Sequence, residues 1–215
     1  MSKYWNWECK RDAIQASKGG CLIDNSDPSL VYLVDPADVS SSTMEELNLD
    51  CTQSEIASKK QILVPLWIAW CDEHEVDSQL AHNAKKKYNL GHIQSEVNLD
   101  GRPYAKLDVT VSNVRNNITE TYDTQENITP HSSEDKSDLY LSIPQGSIKL
   151  NCPGPNVKEG TRRAGFSGWW TIVKSLESGP HEISYQTTVR TLPDSETSPG
   201  TPYTSAKITY KLNIA

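Results

Sequence analysis

Hydrophobic residues occupy every second position along much of the second half of the chain. From residue 94 to residue 112 this alternation runs on both sides of Asp100-Gly101. A period of two, interrupted by an Asp-Gly pair, is typical of two antiparallel strands that share a tight turn and have one face in water. The segment therefore predicts a β-hairpin. The same pattern predicts further strands over residues 139–143, 148–150, 169–173, 183–189 and 208–214.

Residues 61–70 form a continuous apolar run rather than an alternating one. The length of this run and its β-branched and aromatic side chains predict a strand that is buried on both faces and lies centrally in a sheet. Directly after it, apolar residues recur at intervals of four from Val76 to Tyr88. That period, with lysines at its far end, predicts one amphipathic helix over residues 78–88.

Two polar stretches interrupt the predicted strands. Residues 1–60 contain one apolar cluster of strand type, at 31–34, and are otherwise rich in Ser, Asp, Gly and Pro, so we expect a loop-rich segment that wraps the core. Residues 115–137 are predominantly polar, which predicts an exposed insertion between strands. Many strands and a single helix predict a mostly β, two-sheet sandwich of the jelly-roll type, formed by residues 1–215 as one domain.

The composition allows a substantial core and argues against nucleic acid as a partner. Only 36% of the residues are hydrophobic, but nine Tyr and six Trp supply large side chains. The formal net charge is -7, whereas surfaces that bind nucleic acid or anionic membranes need clustered Lys and Arg. The longest apolar run, residues 62–70, is shorter than the about 20 residues of a membrane span, so we expect no membrane insertion.

The five cysteines are interpreted mainly as disulfide partners. They include no Cys-x-x-Cys pair, which excludes a zinc ribbon and a thioredoxin-type redox motif. Pairing Cys9 with Cys21, and Cys51 with Cys71, would close the shortest loops, although the spacing leaves the connectivity open. Disulfides in turn imply an oxidising compartment.

Two Asn-x-Thr sequences, at Asn117 and Asn127, are candidate N-glycosylation sites within the polar stretch. Residues 1–10 carry charges and two Trp where a signal peptide would need an apolar segment. Together with the cysteines, these features predict an extracellular or cell-surface protein whose signal peptide has been removed.

The densest cluster of candidate metal ligands lies at residues 71–75, between the predicted buried strand and the predicted helix. Imidazole and carboxylate groups in this region suit zinc or another divalent ion. The spacing matches no strong motif such as His-Glu-x-x-His, and acidic residues near a helix N-terminus are expected from the helix dipole alone. No cofactor is therefore strongly implied. The candidate ligands are Asp72, His74, Glu75 and His82.

Trp169 and Trp170 are adjacent in a predicted strand and therefore point to opposite faces. An exposed indole would offer a platform on which a sugar ring can stack, whereas covering loops would bury both rings. Further along, Gly179 suits a turn with positive φ, and His181 begins the next strand, where its ring can hydrogen-bond a neighbouring backbone group. We interpret His181 as structural.

The order of these motifs resembles that in a group of uncharacterised exported proteins of bacteria and archaea. The resemblance covers most of the chain and is most specific in the closing motif, which reads Gly-Tyr/Trp-Trp followed by Leu-x-x-Gly-x-His-x-Ile. It implies secretion and a β-rich fold, and it brings no known activity. In the closing motif the matching residues are Gly168, Trp169, Trp170, Val173, Leu176, Gly179, His181 and Ile183. The motifs that precede it in the same order are Trp5 and Trp7, residues 31–33, Cys51, residues 62–65, Cys71 and Asp100-Gly101.

The sequence thus favours an extracellular binding or structural module over an enzyme. Such a module would recognise glycans, or it would be a subunit of a cell-surface assembly with another surface protein as partner. The alternative is a metal-dependent enzyme, for example a hydrolase, that uses the 71–75 loop together with His82.

Overall fold

The computed structural model describes residues 21–34, 46–72, 90–114, 117–122, 128–132, 139–143, 160–191 and 202–215. Within these ranges the chain forms β-strands and no helix. The helix predicted over residues 78–88 and the strand predicted over residues 148–150 lie outside them.

The strands of the described ranges are β1 (Ile23–Asp24), β2 (Leu30–Leu33), β3 (Glu46–Ile56), β4 (Gln61–Asp72), β5 (Leu90–Leu99), β6 (Arg102–Val114), β7 (Asn117–Tyr122), β8 (Ile128–Ser132), β9 (Leu139–Ile143), β10 (Gly160–Val173), β11 (Gly179–Thr191), β12 (Pro202–Thr204) and β13 (Lys207–Ile214). The first sheet has the order β1-β2-β4-β10-β8, and β9 also pairs with β10. The second sheet has the order β3-β13-β11-β5-β6-β7, and β12 also pairs with β11. Strand β2 is parallel to β4, and β3 is parallel to β13.

The two sheets pack face to face around a shared hydrophobic core. Strand β13 shows the pattern, because Ile208, Tyr210 and Leu212 are buried in the core whereas Lys207 and Lys211 are exposed. Side chains alternate between the faces of a strand, so β13 presents one apolar face to the first sheet and one polar face outward. The mostly β, two-sheet fold expected from the sequence is confirmed.

Strand β4 is buried on both faces, as its continuous apolar run predicts. Val64 belongs to the core between the sheets and is fully buried. Its neighbour Leu63 points to the opposite face by strand alternation, and it is only 6% exposed. In the first sheet β4 lies between β2 and β10, so the prediction of a central strand is confirmed.

A bulge in β4 makes a backbone carbonyl available to the second sheet. Consecutive residues of β10 lie opposite Trp67 and Pro65, so Leu66 is the extra residue. Proline has no N–H for the strand ladder, which makes its position suitable for a bulge. The Leu66 carbonyl accepts a hydrogen bond from the hydroxyl of Thr187 on β11. The same hydroxyl lies 2.8 Å from Oγ of Ser95 on β5.

Two tyrosines of the second sheet hold the β1–β2 hairpin. The Tyr210 hydroxyl donates to the carbonyl oxygen of Leu22 at 2.7 Å and accepts from the N–H of Val34 at 3.3 Å. The Tyr185 hydroxyl donates to the carbonyl oxygen of Val34 at 2.6 Å. The two tyrosine rings stack with their centroids 6.2 Å apart. Leu22 and Val34 are buried beyond the last paired residues of the hairpin, so these hydroxyls satisfy backbone groups that strand pairing does not reach.

A disulfide between Cys21 and Cys51 joins the two sheets, with Cα atoms 4.7 Å apart. Both cysteines were predicted as disulfide partners, but the pairing by shortest loops, Cys9 with Cys21 and Cys51 with Cys71, is wrong. The physical reason is that the hairpin lies at the edge of the first sheet, next to the edge strand β3 of the second sheet. Cys9 and the side chain of Cys71 lie outside the described part of the structure.

Four strands, β1, β3, β7 and β8, lie where the sequence predicted loops or an insertion. Strand β3 falls within residues 1–60, and its core-facing Leu47 and Leu49 alternate with exposed polar residues. Its parallel partner β13 is far along the chain, so local composition gave little indication of the pairing. Strands β7 and β8 fall within residues 115–137 and lie at the ends of their sheets. A strand at a sheet edge has one neighbour fewer, so a polar composition does not prevent its pairing.

We expect Tyr210→Phe to lower the free energy of unfolding by about 1–3 kcal/mol, because it leaves the Leu22 carbonyl and the Val34 N–H buried without this partner. Equilibrium urea unfolding measures the loss. Tyr104→Phe is the matched control, because Tyr104 and Ile172, whose carbonyl accepts from the Tyr104 hydroxyl, are only half-buried, so the loss should be smaller. Equal losses in the two variants would contradict the role given to Tyr210.

Candidate functional site

Several short connections meet at one end of the sandwich. The β3–β4 and β10–β11 connections each lead from one sheet to the other. The β1–β2 loop is tied to the β3–β4 connection by Lys60, whose Nζ donates to the carbonyl oxygen of Asn25 at 2.7 Å. The β5–β6 turn lies beside the start of β11. These connections, residues 25–29, 57–60, 100–101 and 174–178, are called the short-loop end.

The β5–β6 turn has the conformation that its Asp-Gly sequence predicts. Asp100 has a φ of 51° and Gly101 a φ of 73°, and a type I′ hairpin turn requires positive values at both positions. The turn is also bonded to β11. The N–H of Asp100 donates to the carbonyl oxygen of Glu182 at 2.8 Å, and Oδ1 of Asp100 accepts from the N–H of Glu182 at 2.8 Å. The carboxylate is therefore fixed relative to the second sheet.

His181 lies between two hydrogen-bond acceptors. Its Nδ1 is 2.8 Å from Oδ2 of Asp100, and its Nε2 is 2.9 Å from the carbonyl oxygen of Glu177. An ionised carboxylate and a carbonyl can only accept, so both ring nitrogens carry a hydrogen and the ring is the imidazolium cation. The bond to Glu177 is the contact with a neighbouring backbone group that was expected. His181 thereby joins the 174–178 connection to the β5–β6 turn.

The pKa values of both partners shift in the directions that favour this ion pair. Partial burial opposes the charged form of His181, but the hydrogen bonds to Asp100 and Glu177 outweigh it and raise the pKa of the imidazole. Partial burial also opposes ionisation of Asp100, but the hydrogen bonds from Glu182 and His181 outweigh it and lower the pKa of the carboxyl. The side chains of His181 and Asp100 are 16% and 46% exposed, so solvent weakens the pair.

A groove of about 510 Å³ lies next to the ion pair. Leu99, Pro103 and Tyr104 give it apolar walls. Asp100 and the exposed Arg102 place one negative and one positive charge along it. The groove thus combines an apolar surface with two charged side chains that can form hydrogen bonds, which is the usual composition of a site for a small ligand.

A bulge in β6 places Tyr104 in the groove. Consecutive residues of β5 lie opposite Ala105 and Pro103, so Tyr104 is the extra residue. A bulge re-aims the side chain that it carries. The Tyr104 hydroxyl donates to the carbonyl oxygen of Ile172 at 3.0 Å, on β10 of the first sheet. The ring is therefore held between the two sheets at the short-loop end.

A second polar cluster lies on the outer face of strands β5 and β6. Nε2 of His92 is 2.6 Å from Oδ1 of Asp108, and Nε2 of Gln94 donates to Oδ2 of Asp108 at 2.8 Å. The hydrogen bond from Gln94 lowers the pKa of Asp108, partial burial opposes this, and the contact with His92 adds to the lowering. Gln94 lies directly opposite Asp108 in the β5–β6 register, and His92 is two residues away along β5, so we interpret the cluster as a cross-strand contact.

The side chains of the predicted metal ligands lie outside the described part of the structure. No group of three or more His, Cys, Asp or Glu that could hold a metal ion occurs among the described residues. His74, Glu75 and His82 lie outside the described ranges, and for Asp72 only the backbone, at the end of β4, is described. The metal site therefore stays a prediction.

Trp169 and Trp170 do not form an exposed aromatic platform, because both rings are buried, which is the other alternative that the sequence left open. They are 1% and 2% exposed. Trp169 belongs to the core between the sheets, where its ring centroid lies 5.7 Å from that of Trp67. Trp170 points to the other face of the first sheet and is buried there. Alternation correctly gave the two opposite directions, but it could not reveal that both faces are covered.

The described structure does not include the side chain of either predicted glycosylation site. Asn117 is the first residue of β7, a strand at the end of the second sheet, and its side chain is not described. Asn127 lies outside the described ranges. Glycosylation at both positions stays a prediction.

Searches against known protein families and against curated proteins find no match to this chain. Among the described residues, no helix is long and apolar enough to cross a membrane.

Sequence reasoning missed the groove. It identified Asp100-Gly101 only as a turn and did not single out Arg102 or Tyr104. The available signal was a charged and an aromatic residue within four positions of a predicted tight turn, since loops at strand ends commonly carry sites. Selecting these residues would also have required the position of β10, which sequence alone does not give.

We expect the free energy of unfolding to fall as the pH rises above about 6.5, the pKa of an unperturbed histidine side chain. Because folding raises the pKa of His181, the protonated ring stabilises the fold at low pH, and this contribution is lost as the pH rises through the folded-state pKa. The partial exposure of the pair limits the effect to below about 1 kcal/mol. Urea unfolding at a series of pH values measures it.

His181→Gln should remove this part of the pH dependence. His92→Gln is the matched control, because it removes a histidine from the same sheet and leaves the bonds of His181 in place. A His181→Gln variant with the wild-type pH profile would show that the imidazolium assignment is wrong.

Proposed function

We propose that the chain is an extracellular binding module, with a jelly-roll type of β-sandwich as its scaffold. The Cys21–Cys51 disulfide is the observation that carries this proposal. It joins an edge of the first sheet to an edge of the second, and such a bond persists in oxidising compartments and is rare in the cytosol. Export is also what the resemblance to exported bacterial and archaeal proteins implies, and the sequons at Asn117 and Asn127 fit it.

A binding role is supported by the way the polar groups of the short-loop end are used. Both ring nitrogens of His181 are occupied by acceptors, so the ring is not free to accept a proton as a general base. The same bonds fix Asp100 and the 174–178 connection. A site that is rigid before a ligand arrives loses less conformational freedom on binding, which favours recognition.

The position of the groove also supports binding. In β-sandwich domains the connections at one end of the two sheets often carry the recognition surface, while the sheets act as a rigid scaffold. The groove lies at the short-loop end, beside connections tied to each other by Lys60 and by His181. The partner is proposed to be a glycan or another surface protein.

Intact-mass analysis tests the compartment. We expect the natively produced protein to gain the mass of at least two hydrogen atoms on reduction, and peptide mapping before reduction should link Cys21 to Cys51. A native protein with five free thiols would overturn the proposal of export.

We also expect Cys21→Ser/Cys51→Ser to lower the free energy of unfolding by about 3–4 kcal/mol, the chain-entropy value for a bond across a sequence separation of 30 residues. Urea unfolding of the oxidised wild type and the variant measures the difference. Reduced wild-type protein is the matched control and should resemble the variant. A variant as stable as the oxidised wild type would show that the disulfide does not support the scaffold.

A further inference from the structure

We infer that the groove lined by Leu99, Asp100, Arg102, Pro103 and Tyr104 binds one hexopyranose unit of a glycan. This inference rests on the proposed function as an extracellular binding module. It assigns the ligand class and the residues that recognise it.

The two charges in the groove favour a neutral ligand. A phosphate, a carboxylate or a metal cation would be attracted by one of these side chains and repelled by the other, so the pair offers an ion little net attraction. A carboxylate and a guanidinium that line the same groove instead offer strong acceptors and donors to a neutral molecule with many hydroxyl groups. Each sugar hydroxyl can both donate and accept, so one ring can use both side chains.

The carboxylate of Asp100 is already oriented for this role. Oδ1 accepts from the N–H of Glu182 and Oδ2 from His181, each at 2.8 Å. Each carboxylate oxygen has a second lone pair, so both retain capacity for a ligand hydroxyl. The side chain is 46% exposed, which leaves it accessible. A ligand would therefore meet a fixed acceptor and would not have to order it.

The apolar walls suit the remaining surface of a sugar. One face of a pyranose ring exposes C–H groups, which pack on aromatic and aliphatic side chains. Tyr104 is held in place by its bond to the Ile172 carbonyl, and Pro103 is conformationally restricted next to it. The groove volume of about 510 Å³ lies within the range of about 300–1,000 Å³ that is typical of ligand pockets.

The groove also explains the β6 bulge in functional terms. A regular strand would alternate Tyr104 away from Ala105, which packs in the core. The extra residue turns Tyr104 toward the first sheet, where its hydroxyl reaches β10. The bulge thus builds one wall of the groove and closes the end of the sandwich at the same point.

The test is a titration with a panel of methyl α- and β-glycosides of glucose, galactose, mannose and N-acetylglucosamine, followed by ¹H–¹⁵N NMR of the full chain. We expect at least one glycoside to shift the amide signals of Gly101, Arg102 and Tyr104. Arg102→Ala should weaken that binding at least tenfold. Asp100→Asn should weaken the binding as well. The dispersed amide signals of the folded protein should be retained in this variant, which shows that it still folds.

Lys106→Ala is the matched control, because Lys106 lies on the same strand, is exposed and is outside the groove. It should bind as the wild type does. A panel without any binder, or a binder whose affinity Arg102→Ala leaves unchanged, would overturn the groove assignment. Neither result would contradict the proposal of an extracellular module. That proposal is tested separately, and five free thiols in the native protein would overturn it.

Discussion

Two buried tyrosine hydroxyls determine how the β1–β2 hairpin packs against the second sheet. At Leu22 and Val34 the strand pairing ends inside the core, and backbone N–H and carbonyl groups there have no water to bond. Tyr185 and Tyr210 supply the missing partners from the facing sheet. An unpaired buried backbone group costs about as much as a lost hydrogen bond, so the hairpin position depends on these contacts. Cys21 is adjacent, and its bond to Cys51 fixes the same edge covalently.

Hydrogen bonds from a side-chain hydroxyl of one sheet to a backbone carbonyl of the other recur at two bulges. The second of these bulges lies at the candidate site. At Leu66 the bulge frees a carbonyl that the Thr187 hydroxyl of the other sheet takes up. At Tyr104 the bulge turns a side chain whose hydroxyl reaches the carbonyl of Ile172. In both places a side-chain hydroxyl of the second sheet bonds the backbone of the first. The sandwich is thus held by directional contacts as well as by apolar packing, and the groove occupies the end where one of them lies.

The sequence was sufficient where a local pattern determined the structure. The continuous run in β4 predicted a central strand, and Asp100-Gly101 predicted the turn that the φ values show. His181 was expected to bond a neighbouring backbone group, and it does. The groove residues Arg102 and Tyr104 could not be selected in this way, because the site depends on β10, which lies about 70 residues further along the chain.

Other features depend on contacts between segments that are distant in the chain, so the local sequence pattern could not predict them. Cys21 pairs with Cys51 because the hairpin lies at a sheet edge beside β3, a position that loop length does not indicate. Strand β3 itself pairs in parallel with the last strand of the chain. The burial of Trp170 depends on what covers the outer face of its sheet, and strand alternation contains no information about that cover.

Amide hydrogen exchange on a Tyr185→Phe/Tyr210→Phe variant tests the central claim most directly, since exchange reports local opening segment by segment. The account predicts that amides of β1, β2 and Val34 lose protection, whereas those of β11 and β13 exchange as in the wild type once the change in global stability is subtracted. Unchanged protection of Val34 and β2, or an equal loss in every strand, would contradict the view that these hydroxyls hold the hairpin in place.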